Sequence, residues 1–206
     1  MYAVGHLAIG YLSGKATSRL TGADVNVPLL FALSIISDVD LLIPGLKHRG
    51  PTHSIIILCL LFLPALILYR KKAIPHFAAL ILHPLVGDVL TGGAQLLWPL
   101  TTSEYGIRTA MTSLTNILTE WIFFLISFTI LLKTRDIQTL LQPHSSNLSL
   151  LIPIVTVLTP AFFMFPLNVP LELIIPHLIY LTIFALSILM DVPLVQKQLI
   201  RRACTT

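Results

Sequence analysis

Residues 54–69 of the chain read SIIILCLLFLPALILY, and no charged side chain interrupts them. Three basic residues, Arg70, Lys71 and Lys72, follow directly. A helix that crosses a bilayer needs roughly 20 mostly apolar residues. Basic residues typically flank such helices on the cytoplasmic side. The stretch is therefore typical of a membrane helix whose basic end lies in the cytoplasm.

Similar apolar segments recur along the chain, separated by short polar connections. Of the 206 residues, 55% are hydrophobic and 11% are charged, whereas a typical soluble domain has about 25% charged residues. We therefore predict an all-α, polytopic helical membrane protein with about six membrane segments, including a partly spanning N-terminal helix. The apolar segments are residues 2–20, 27–43, 54–69, 74–100, 116–132, 148–167 and 171–192.

The segments leave no room for a separate soluble domain. We predict one integral membrane domain over residues 1–206, with a metal-site half at 1–105 and supporting helices at 106–206. The expected location is the cell membrane, as a multi-pass protein. The net charge of +4 comes from basic membrane flanks, so nucleic acid is not an expected partner. The expected partners are membrane lipids and a small-molecule or lipid substrate, and the sequence leaves the oligomeric state open.

The basic segment ends also predict the orientation of the chain. Cytoplasmic loops carry the excess of Lys and Arg, so the ends at Arg70–Lys72, Lys133 and Arg201 are predicted to face the cytoplasm. The connections then predicted to face outside are residues 44–53, 101–114 and 167–171.

Ionisable side chains inside membrane segments are costly and mark functional sites by default. Here they cluster in the first hundred residues: His6, Asp38, Asp40, His48, His53, His83 and Asp88. At 1.5 Å of rise per helical residue, the predicted topology brings most of them to similar depth in the outer half of the bilayer. Only His83 is expected nearer the middle. Separate segments would thus bring His and Asp side chains to one site.

Imidazole and carboxylate groups together favour zinc, manganese or iron over calcium or magnesium. We predict a divalent metal, with zinc preferred, and the spacing leaves open whether one ion or two are bound. Asp38 and Asp40 would point to different faces of a regular helix. Either the helix is unwound ahead of Pro44, or only one of the two is a ligand. The predicted metal ligands are His6, Asp38, Asp40, His53, His83 and Asp88.

Three stretches resemble a known family. The sequences HRGPTHS at 48–54, SDVD at 37–40 and GDVLT at 87–91, with LLWP at 96–99, are similar to the LexA-regulated, membrane-bound metal-dependent hydrolases, the YdjM-like family. The early His6 belongs to the same pattern. The resemblance covers roughly residues 1–105, and it implies a membrane-bound metal-dependent hydrolase.

The chain departs from the family pattern at two positions. Ser37 stands where the family usually has Pro before its Asp-x-Asp. The family His normally precedes its Asp by four residues, whereas His83 and Asp88 are five apart. Five residues on a regular helix are about 140° apart. Joint ligation by this pair would therefore need a kink at Pro84 or Gly87.

Two classes of function fit these residues. In the first, a metal-dependent hydrolase cleaves an ester or phosphoester, with a metal-activated water as the attacking group. Arg49 and His48 are the predicted catalytic residues: Arg49 would hold the anionic group, and an unligated His or Asp would act as general base. The predicted depth suits a lipid or lipid-linked substrate at the extracytoplasmic face.

The second class is a non-enzymatic protein that binds or transports metal ions or protons through the same cluster. A transporter should show two related halves or polar residues that continue towards the cytoplasm, and no internal repeat is visible. Simpler roles compete elsewhere: Arg49 could anchor lipid headgroups, and Thr52 or Ser54 could cap the next helix. The acids predicted to be ordinary interfacial charges are Glu120, Glu172 and Asp191.

Overall fold

A computed structural model describes residues 1–163 and 169–203 of the chain. Over this part of the chain every regular element is a helix, and one isolated bridge joins Ala94 to Tyr105. The all-α prediction is confirmed. Part of the predicted turn 167–171, and the end of the segment 148–167, lie outside the described residues.

Three of the α-helices begin at a residue whose side chain caps the helix. Asn26, Ser54 and Ser113 each accept a backbone N–H with their side chains at the start of a helix, which satisfies one of the unpaired donors there. The helices are α1 (Ala3–Thr21), α2 (Val27–Leu33), α3 (Ile55–Tyr69), α4 (Ile74–Leu82), α5 (Leu114–Lys133), α6 (Asp136–Leu140), a helical segment Ser145–Phe162 and a C-terminal helix Ile174–Ala203.

Within the described residues, three helices are long and apolar enough to cross a membrane. The prediction of about six membrane segments is therefore too high as a count of continuous spans. The three are Leu114–Lys133, Ser145–Phe162 and Leu171–Asp191.

In the first half, α3 is only 15 residues long, and polar residues interrupt two of the other predicted segments. The segment predicted at 27–43 is α-helical only to Leu33, and a 3-10 helix, Ile36–Leu42, follows it. The segment predicted at 74–100 leaves the α conformation after Leu82 and continues as a π-helix, His83–Asp88. Both irregular turns carry the candidate ligands, so the same residues shorten the helices and form the site.

The core forms where α1 packs against α2, α4 and α5. Its centre is aromatic: the Tyr11 ring stacks on Phe31, whose ring also contacts Tyr180 and Phe184 of the C-terminal helix. The outer surface is apolar as well, and Leu61 and Leu68 of α3 are each 74% exposed. Large exposed apolar surfaces are typical of contact with a membrane.

Candidate metal centre

All the predicted metal ligands lie in one cluster, and each is at most 4% exposed. They come from four places in the fold: α1, the 3-10 helix Ile36–Leu42, a second 3-10 helix Pro51–His53, and the π-helix His83–Asp88. Their potential ligand atoms form three overlapping groups, each within 4.8 Å. The predicted ligands in these groups are His6, Asp38, Asp40, His53, His83 and Asp88, and the predicted catalytic residue His48 joins Asp40 and His53 in the third group.

Four of these side chains point their donor atoms at one another, and we call them the central set: Asp38, His53, His83 and Asp88. The Nε2 atoms of His53 and His83 are 3.2 Å apart. Asp38 Oδ1 lies 3.2 Å from His53 Nε2 and 3.3 Å from His83 Nε2. Asp88 Oδ2 lies 3.5 and 3.6 Å from the same two nitrogens. Two nitrogens and two carboxylate oxygens thus converge, which is a mixture of donors that divalent metals such as zinc, manganese or iron take.

The π-helix explains how His83 and Asp88 reach the same point despite their five-residue spacing. In a π-helix the hydrogen bonds run from residue i to i+5, so residues five apart come onto one face. The kink predicted at Pro84 or Gly87 is instead this wider turn, which includes both residues. π-Helical turns are rare and are frequent at functional sites.

The His83 imidazole is oriented from both sides. Its Nδ1–H donates to the Ser34 carbonyl at 2.6 Å, which fixes the ring with Nε2 facing the central set. The His6 ring stacks on it with 3.9 Å between centroids. Gly87 makes this approach possible, because a Cβ there would lie 2.2 Å from the His6 ring.

Asp40 lies behind His53, on the far side from the central set. The 3-10 conformation of Ile36–Leu42 turns Asp38 towards His53 Nε2 and Asp40 towards Nδ1, 3.3 Å away. The unwinding proposed ahead of Pro44 is therefore present. Asp40 also accepts from Thr52 Oγ1 at 2.7 Å and lies 3.0 Å from His48 Nδ1. A carboxylate behind a ligand histidine fixes its ring orientation.

The neighbouring carboxylates raise the pKa of His53, which lies in the connection before α3. Burial by itself lowers the pKa of His53, but hydrogen bonds to Asp38 and Asp40 and the charge of Asp88 together raise it to about 10. In the metal-free protein His53 is therefore an imidazolium near neutral pH. A metal that binds its Nε2 must displace that proton.

Arg49 brings a guanidinium to the edge of the cluster. Its Nε lies 3.1 Å from Asp88 Oδ1, and its Nη1 donates to the Thr91 carbonyl at 2.9 Å. The side chain is 15% exposed. Gly92 makes room for it, because a Cβ there would lie 2.2 Å from Nη1. His48, in contrast, is 31% exposed at the rim of the cluster.

Two buried polar atoms of the cluster, His6 Nδ1 and Asp88 Oδ2, have no hydrogen-bond partner among the described residues. Buried polar groups are nearly always paired with protein or water. A carboxylate oxygen of this kind, facing two imidazole nitrogens, is what a divalent cation would satisfy. The buried His and Asp groups of the cluster could therefore hold a metal ion.

Two acids were misjudged from the sequence. Glu120 is fully buried in α5, and its carboxylate accepts backbone N–H groups from Tyr2 and Gly5 at the start of α1. Asp191 is 1% exposed and accepts from the His144 backbone N–H at 2.6 Å. The prediction that both are interfacial charges is wrong. For Glu120 the signal was present, because a carboxylate inside an apolar helix needs a partner.

A family described as YdjM inner membrane protein matches residues 1–169. The chain belongs to this family. The match extends well beyond residue 105, where the resemblance in the motifs ends, and it includes α5 and its Glu120. Family membership and the three membrane-length helices identify an integral membrane protein. The comparisons with curated proteins and with solved structures found no match.

Proposed function

We propose that the protein is a membrane-embedded metal-dependent hydrolase that cleaves an ester or phosphoester at the extracytoplasmic face. The observation that carries this proposal is the convergence of the central set, whose donor atoms lie 3.2–3.6 Å apart across His–His and His–Asp pairs. The set is buried, and the guanidinium of Arg49 lies beside it, 3.1 Å from Asp88, where it would bind the charged group of an anionic ester.

In this proposal Asp38, His53, His83 and Asp88 hold the metal, and zinc suits their mixture of nitrogen and oxygen donors. His6 lies 3.8 Å from Asp88 Oδ1 and supplies a further donor, for the same ion or a second one. Asp40 orients His53. A divalent metal supplies Lewis-acid polarisation of the ester and a lower pKa for water when it is bound.

Arg49 and His48 carry the remaining chemistry. The Arg49 guanidinium holds the anionic group of the substrate, because its planar fork can grip a phosphate or carboxylate with two parallel bonds. Asp40 engages His48 through Nδ1, so Nε2 is the nitrogen that exchanges a proton with water or the leaving group. Hydrolysis consumes one water: its hydroxyl joins the acyl or phosphoryl centre, the ester bond breaks, and the proton goes to the leaving alcohol.

The fixed positive charge of Arg49 favours an anionic substrate. Its guanidinium lies 3.1 Å from Asp88 and would attract the charged group of an ester.

The test is metal content and turnover of the detergent-purified protein, with p-nitrophenyl phosphate as a soluble probe. Asp38→Asn and His83→Ala should each lose most of the bound metal and the metal-dependent turnover. Glu172→Gln is the matched control, because Glu172 is exposed and should retain both. Equal metal loss in all three variants, or metal binding without turnover of phosphate or carboxylate esters, would contradict the proposal.

A further inference from the structure

A cavity of about 330 Å³ lies beside the central set. It runs between α2, the 3-10 helix Ile36–Leu42 and the first two turns of α3. One end is polar, with Ser37 and Thr52 next to the ligands Asp38 and His53. The rest of the wall is mainly apolar: Leu33, Ile36, Ile57, Leu58, Leu61 and Phe62.

The polar end holds a hydroxyl with no partner. Ser37 is 2% exposed, lines the cavity, and its Oγ makes no hydrogen bond within the described residues. Buried hydroxyls are almost always paired. Ser37 adjoins Asp38 in sequence, so the unpaired hydroxyl lies at the boundary between the cluster and the apolar wall. A ligand with a polar group followed by an apolar chain would satisfy both.

The other end of the cavity reaches the outer apolar surface. From Ile57 to Phe62 the helix rises about 7.5 Å away from His53. Leu61 lines the cavity and is also 74% exposed, so its side chain lies at an opening towards the surface that contacts lipid. The volume is at the low end of ligand cavities, which span roughly 300–1,000 Å³. It suits one hydrocarbon chain and no bulky ring system.

We infer that this cavity holds one hydrocarbon chain of an amphiphilic phosphoester, whose phosphate lies at the cluster beside Arg49. The inference rests on the proposed hydrolase function and names its substrate class. The hydrocarbon chain enters sideways from the bilayer past Leu61. Ser37 donates a hydrogen bond to an ester or phosphate oxygen of the same ligand. The apolar wall selects alkyl phosphoesters over water-soluble ones.

The two tryptophans of the chain provide the assay. Trp98 lines the cavity, whereas Trp121 lies on α5 and donates to the Glu172 carbonyl. Metal-loaded Trp121→Phe protein therefore reports the cavity alone. Dodecylphosphonate brominated along its chain, which has a C–P bond in place of the ester bond and is not hydrolysed, should quench Trp98 saturably at fixed detergent concentration. The same probe should quench Trp98→Phe protein only in proportion to its mole fraction.

Substitutions in the cavity wall test whether the hydrocarbon chain of the probe lies there. Ile57→Phe fills the cavity and should raise the half-saturating probe fraction about tenfold. Leu60→Phe is the matched control, because Leu60 is on the same helix but is 60% exposed and lies outside the cavity wall. Ser37→Ala should weaken binding by roughly two- to tenfold. Brominated dodecanol, which has no anionic head group, should bind more weakly than the phosphonate probe.

Turnover of p-nitrophenyl phosphate separates this inference from the proposed function. If that turnover persists but Trp98 quenching does not saturate, the chain-binding inference is wrong and the hydrolase stands. Equal weakening by Ile57→Phe and Leu60→Phe would also overturn it, because binding would not depend on this cavity. Saturable, Ile57-dependent quenching without metal-dependent turnover would support chain binding and refute the hydrolase.

Discussion

Asp40 provides a test that separates a metal ligand from a group that orients one. Its two carboxylate oxygens face Thr52 Oγ1 at 2.7 Å, His48 Nδ1 at 3.0 Å, the Arg49 backbone N–H at 3.3 Å and His53 Nδ1 at 3.3 Å. In Asp40→Asn one oxygen becomes an NH₂ donor, so it no longer accepts from the donors on that side. The His53 ring then loses the fixed orientation that its Nε2 needs.

The expected loss follows from that geometry. Removing a group that supports a metal ligand typically lowers metal affinity 10- to 100-fold, which equals about 1.4–2.7 kcal/mol. Asp38→Asn removes a member of the central set and should cost clearly more. Asp24→Asn makes the same substitution at an exposed carboxylate and should leave the affinity unchanged.

Zinc affinity of each purified variant can be measured by competition with a chelating dye at fixed pH, with thermal unfolding as a check on folding. Asp40→Asn should show a weaker but measurable site. If its loss equals that of Asp38→Asn, Asp40 is itself a ligand and the orienting role is wrong. If its affinity matches Asp24→Asn, the contact with His53 has no influence on metal binding.

Three further predictions concern Arg49, pH and topology. Arg49→Lys keeps the charge but loses the planar fork, so metal content should stay near wild type. The value of kcat/KM for an anionic ester should fall about ten- to a hundredfold, since a charge-assisted bond contributes roughly 1.5–3 kcal/mol. Loss of metal in this variant would mean that Arg49 has a structural role. Because the pKa of metal-free His53 is raised to about 10, zinc affinity should rise about tenfold per pH unit from pH 7 to 9, with one proton released per ion; a flat profile would contradict this. The same raised pKa stabilises the metal-free protein most below pH 6.5, and calorimetry should show this contribution declining as pH rises towards 10. In a cysteine-free background, Ser103→Cys should react with an impermeant maleimide from outside intact cells and Lys71→Cys should not; the reverse pattern would put the site on the cytoplasmic side.

Composition and local pattern were sufficient for the class of protein. An apolar run such as 116–132, ended by Lys133, has few alternatives to a membrane helix. The helix Leu114–Lys133 and the family match support that conclusion. The candidate site residues were also visible in the sequence, because acids and histidines within apolar segments are costly unless they have a use. These inferences needed no knowledge of which segments touch.

The arrangement within the cluster depended on tertiary structure. Regular-helix geometry separates His83 from Asp88, and only the π-helical turn, packed against His6 at Gly87, brings them together. The number of membrane-spanning helices was overestimated partly because the sequence pattern does not show where a helix changes its hydrogen bonding, as in the segments 27–43 and 74–100. Glu120 was misjudged because its partners, the N–H groups of Tyr2 and Gly5, are more than a hundred residues away in the chain. Sequence reports what each residue can bind, whereas the pairing of distant groups is decided by packing.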